Sequence, residues 1–85
     1  MPNFNQENFD RDLAVSTRIT AMSMDDFSLV RFSGDLRRNI NLLCEDHPHG
    51  GRTVDRVVHT LEIQFHVIWQ EAMNRGLGSL LLMNG

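Results

Sequence analysis

The sequence has no lysine and no tyrosine, a single cysteine, a single tryptophan and two prolines. One cysteine, Cys44, excludes an intramolecular disulfide, so the usual staple of small secreted domains is missing. No apolar run approaches the ~20 residues that a membrane-spanning helix needs. The opening residues, MPNFNQENFDRD, carry neither the basic n-region nor the apolar h-region of a secretory signal. With a thiol left free, these features predict a cytoplasmic protein with no membrane partner. Charge of neither sign dominates. The net charge of −3 gives no general electrostatic case for nucleic acid and is too small for a DNA mimic. Every basic residue is arginine. Genomic base composition is the simplest source of that bias; the functional alternative is a demand for planar, bidentate contacts at an interface.

Catalytic apparatus is also missing. No serine, histidine and aspartate occur in a recognised nucleophilic context, and no glycine-rich loop follows a strand to cradle phosphate. Gly50-Gly51-Arg52-Thr53 is the one stretch where free backbone N–H groups and an arginine could receive an anion. A turn needs those glycines anyway. The expectation is a non-enzymatic protein without a cofactor.

What is present is helical periodicity. From Thr53 to Arg75, Val54, Val58, Leu61, Phe65, Ile68 and Ala72 recur at alternating four- and three-residue steps, the spacing of one helix face or a heptad seam. At ~1.5 Å per residue such a helix is roughly 33 Å long. Thr53 is placed as its N-cap, Asp55 lies in its first turn, and Arg75 lies in its last turn before Gly76. Gly76 suits a left-handed C-cap with Leu77 as hydrophobic follower.

A second stripe, Leu29, Phe32, Leu36, Ile40 and Leu43, predicts a helix over about 24–46. Ser23 is its expected cap, with Asp25 and Asp26 in the first turn. Gly34 falls inside at a cost of roughly 1 kcal/mol relative to alanine, and Ser33-Gly34-Asp35 is a place where the helix could break. His47-Pro48-His49-Gly50-Gly51-Arg52 ends it, since proline cannot continue a helix. Two long helices joined this briefly are antiparallel neighbours, an αα-hairpin.

The N-terminal segment is weaker. Asn5 is placed as an N-cap, with Phe4 and Phe9 spaced as a hydrophobic staple. A helix over about 6–22 follows, with residues 1–4 frayed. Its stripe is poor: Phe9 and Leu13 lie on one side, and Val15, Ile19 and Met22 on another. Residues 14–20 are rich in β-branched side chains and alternate, so a strand is the competing reading. Residues 77–85 form an apolar tail that must pack on something.

The fold predicted is therefore all-α, a single domain of 85 residues. It is a small helical bundle built on an antiparallel hairpin, with a weaker N-terminal helix along it. A monomer of this size is marginally stable without good packing, a metal or oligomerisation. Ile63 and Val67 lie nearly opposite the stripe of the 53–75 helix, and Trp69 and Met73 flank it. Phe27, Val30 and Leu42 lie off the 24–46 stripe. Faces in excess of one buried stripe predict another chain as cover, most simply a second copy in a homodimer. The expected anchors are Ile63, Val67, Trp69, Met73, Leu80, Leu81, Leu82 and Met83, which makes the protein an adaptor or inhibitor acting on a partner protein. The bland alternative is that the N-terminal helix covers the second face, leaving scattered apolar residues outside.

Two other classes have candidates. Cys44, His47 and His49 are zinc-type ligands at a helix end, and His59, Glu62 and His66 share a flank of the long helix. In the second group the histidines stand two turns apart, ~10.5 Å along the axis, and the HExxH spacing is absent. Burial of the thiol and a plain surface flank are the preferred readings. Arg31, Arg37, Arg38, Arg52 and Arg56 could edge the hairpin with positive charge and contact DNA as a small dimeric regulator. The connection is too long, and the following helix too apolar, for a helix-turn-helix reader.

Overall fold

The structure, a computed structural model, describes residues 6–84 and the side chains of residues 6–81. It is all-helical, and no strand occurs among the described residues. Four helices follow in order: α1 (Gln6–Ser23), α2 (Asp26–Asp46), α3 (Arg52–Asn74) and α4 (Gly78–Asn84). The expected cap Asn5, its staple partner Phe4 and the frayed residues 1–4 lie outside the described residues.

In α1 the β-branched segment 14–20 is helix rather than strand. Its hydroxyls fold back on the helix itself. Ser16 donates to the Leu13 carbonyl at 3.2 Å, Thr20 to Ser16 at 3.1 Å and Ser23 to Thr20 at 2.8 Å. Such bonds let polar side chains of low helix propensity sit in a helix without losing a partner. Ser23 is thus the last residue of α1 and not the cap of α2. That role falls to Asp25, whose carboxylate accepts the Ser28 N–H at 2.6 Å. The turn between the helices is closed by the Met24 N–H on the Ala21 carbonyl at 3.1 Å.

Helix α2 runs unbroken through Gly34. Leu29 and Leu36 of the expected stripe are buried, Phe32 packs against the core, and Ile40 and Leu43 are half-buried. Val30, expected off the stripe, is buried too. The α2–α3 connection turns at Gly50 and Gly51, whose φ values of 70° and 144° are positive. Because Gly51 itself serves as N-cap, α3 starts at Arg52 and Thr53 lies within its first turn. The expected Thr53 cap is corrected accordingly: the glycine pair already turns the chain into the helix, and no side chain caps it.

At its other end α3 closes as its sequence predicts. Gly76 has φ 77°, its N–H bonds the Met73 carbonyl at 3.0 Å, and the Leu77 N–H bonds Ala72 at 2.9 Å. This is a Schellman arrangement, with Leu77 packed on the core that contains Ala72.

Helix α3 is the shared element. It packs against α1 on one side and α2 on the other, and α4 lies on α2 and α3. Ile68 and Ala72 of α3 meet Ala21 of α1, Leu29, Val30 and Leu36 of α2, and Leu81 of α4 in one buried cluster. The Cα extents are 42 × 31 × 14 Å. Helices α1 and α2 both pack on α3 and barely touch each other, so the three long helices lie side by side with α3 between. A row of helices buries edges and leaves broad faces open.

Arg75 ties one end of the row together. Its Nε donates to Glu71 at 2.9 Å, and Nη1 donates to the Met24 carbonyl at 2.7 Å and to Asp26 at 3.0 Å. Nη2 donates to the Ala21 carbonyl at 3.0 Å and to Met22 at 3.4 Å. The guanidinium thus satisfies carbonyls at the end of α1 that have no partner within the helix, while bracing the start of α2. Nearer the start of α3, His59 Nε2 donates to Asp10 of α1 at 2.9 Å. These two ties make α1 run alongside α3 in the same direction.

Candidate interaction surfaces

The outer face of α1 carries three exposed apolar side chains. Val15, Ile19 and Met22 are 55%, 64% and 65% exposed. Their spacing of four and three residues aligns them on one face. Together with Arg11, Ala14 and Arg18 they line a shallow depression of about 260 Å³. Helix α1 spends its other side on α3, where Thr17 and Ala21 are buried.

A second open surface lies between α2 and α3. Arg37 and Ile40 from α2, with Phe65, His66 and Trp69 from α3, line a groove of about 490 Å³. One helical turn separates Phe65 from Trp69, and their rings sit 5.7 Å apart at 36°. Leu81 of α4 lies at the adjoining end, beside Val30, Ser33, Gly34, Phe65 and Trp69. There α4 covers the α2–α3 seam; beyond it the groove is open.

The anchors expected from sequence divide three ways. Val67 and Leu81 are buried within the chain, with Val67 beside Arg18 at the α1–α3 contact. A carboxylate in place of Val67 would thus oppose folding itself, contrary to the expectation of a free surface there. Ile63 and Trp69 are partly buried, whereas Met73 and Leu80 are about half exposed. Leu82 and Met83 lie beyond the described side chains. Of the residues off the α2 stripe, Phe27 is 76% exposed and Leu42 48%. Val15, Ile19 and Met22 were legible as a separate side of α1, but nothing in their spacing said that this side would be the open one.

The metal candidates are not gathered. Cys44, His47 and His49 are exposed at the end of α2, where His47 Nδ1 is engaged with the Leu43 carbonyl at 3.3 Å. His59 is drawn to Asp10, Glu62 is exposed, and His66 faces the groove. No group of three or more His, Cys, Asp or Glu among the described residues could hold a metal ion. The arginines proposed for anion contacts, Arg31, Arg37, Arg38, Arg52 and Arg56, are all exposed. Arg38 makes a loose pair with Asp35 at 3.5 Å. No helix among the described residues is long and apolar enough to cross a membrane.

Among the described residues three ionisable groups are displaced from their ordinary values. The hydrogen bond from His59, helped by Gln6, holds the Asp10 carboxyl low. The Ser28 backbone N–H, with the Ser28 side chain, holds Asp25 low. Glu71 and then Asp26 push the Arg75 guanidinium up. In each case the charged form is the one that makes the hydrogen bonds. No family model, curated protein or solved structure matches this chain.

Proposed function

We propose that the protein is a small non-enzymatic protein–protein interaction module, an adaptor or inhibitor that works by covering a partner's surface. On this reading α2 and α3 form an antiparallel helical hairpin, and α1 joins a second copy in a homodimer. The supporting observation is the outer face of α1: three large apolar side chains, each more than half exposed, on one face of a well-formed helix. In a row of helices this face has no fourth helix to cover it. An antiparallel pairing of two such seams about Ile19 buries Val15 of one copy against Met22 of the other. A parallel pairing would instead bring Arg11 and Arg18 against their own copies, which like charges oppose.

Ile19→Glu tests this reading, because an exposed position accepts a carboxylate without unfolding the chain. Light scattering after size exclusion is expected to show the assembled mass for the parent and the single-chain mass for the variant, at unchanged helical circular dichroism. An unchanged mass in the variant would remove α1 as the association surface.

A further inference from the structure

We propose that the groove between α2 and α3 is the docking site for an acidic amphipathic helix of a partner protein. This rests on the interaction-module reading and adds where the partner sits and what chemistry it carries. Ile40, Phe65 and Trp69 supply the apolar wall. Its size, about 490 Å³, suits one or two large side chains. Arg37 and His66 are the polar residues at its edge, and both are exposed. No acidic side chain lines it. An occupant that buries apolar groups against Trp69 therefore gains most if it brings carboxylates to Arg37.

The helical form of the occupant follows from α4. That helix already lies on one part of the same seam and seats Leu81 beside Val30, Phe65 and Trp69. A further helix continues where α4 leaves the seam open, placing an apolar anchor over Ile40 and Trp69 as α4 places Leu81. Arg37, Phe65 and Trp69 are shared by the covered and open parts of the seam, so an occupant of the groove would abut Leu81.

Trp69 is the chain's single tryptophan, so its emission reports the groove directly. The probes are two synthetic amphipathic helices without tryptophan, with leucines at three- and four-residue spacing, flanked by glutamates in one and lysines in the other. The glutamate peptide is expected to shift Trp69 emission to the blue and to bind about tenfold more tightly than the lysine peptide at low salt. Arg37→Glu, an exposed position whose folding is checked by circular dichroism, is expected to reverse that preference. Equal response to both peptides, or response to neither, would overturn the proposal. So would a shift produced by octanoate but not by the glutamate peptide, which would make the groove a small-molecule site. The mass of the unliganded protein, measured on the same samples, separates this test from the α1 reading: assembled protein that ignores both peptides sinks the groove proposal alone.

Discussion

Arg75 and Met24 stand 51 positions apart in sequence, and the guanidinium of one donates to the main-chain carbonyl of the other at 2.7 Å. Around that bond the same side chain holds the end of α1, the start of α2 and its own helix. A flat row of helices has few interlocking side chains, so its geometry depends on such ties. Lysine has one nitrogen and no fork, and it cannot make these bonds at once. Both Arg75→Lys and Arg75→Met are therefore expected to lower the melting temperature more than Arg38→Ala, which removes only an exposed pair. Thermal circular dichroism checks the order; equal melting temperatures would show that the clamp is incidental.

Acid should loosen the scaffold at two known places. Asp10 and Asp25 are held below the ordinary carboxylate value of 3.8. A depressed folded value means stability that is fully present above 3.8 and lost as pH falls through the lower folded value. Urea midpoints are expected to drop as pH falls below 3.8, and Asp10→Asn should make that drop shallower. The same slope in parent and variant would show that the Asp10–His59 tie adds nothing to stability.

Gly34 is expected to be replaceable at a gain. It sits in the middle of an unbroken helix, and an added Cβ has open space around it. Gly34→Ala should raise stability by about 0.5–1 kcal/mol, through the entropy of the unfolded chain. In a domain this small, that is a rise of a few degrees in melting temperature, roughly 4–8 °C per kcal/mol. If alanine lowers stability instead, the space above Gly34 is filled in solution.

Two isoleucines should separate core from surface. Ile68 is fully buried at the meeting of the four helices, whereas Ile19 is 64% exposed. Ile68→Ala is expected to cost about 2–5 kcal/mol in chemical denaturation. Below the concentration at which chains associate, Ile19→Ala should stay within about 0.5 kcal/mol. Comparable losses would mean that the buried cluster is not where stability is concentrated.

How much of this was legible in the sequence depended on whether a feature is local. Helices α2 and α3 could be read from three- and four-residue spacing, and the Gly76–Leu77 ending could be read from two adjacent residues. The starts were harder, because neighbouring residues compete for one role. Ser23 and Asp25 are both good caps, and the hydroxyl of Ser23 turned back to α1 while the carboxylate took the cap. Thr53 lost its place to a glycine pair that had already made the turn. The assignment of faces was not local at all. Whether α1 covers Val67 or leaves it open depends on how α1 meets α3, and α1's own poor stripe does not say. As a result Val67 is inside and Ile19 outside. The partners of Arg75 in α1 and α2 lie more than 45 residues away in the chain, so no window of sequence contains them.

The open face of α1 carries the central claim, and chain count tests it most directly. Native mass spectrometry of the untagged protein across a dilution series is expected to show twice the single-chain mass, giving way to one chain only on strong dilution. A single-chain mass at every concentration would contradict the homodimer and return Val15, Ile19 and Met22 to ordinary exposed surface.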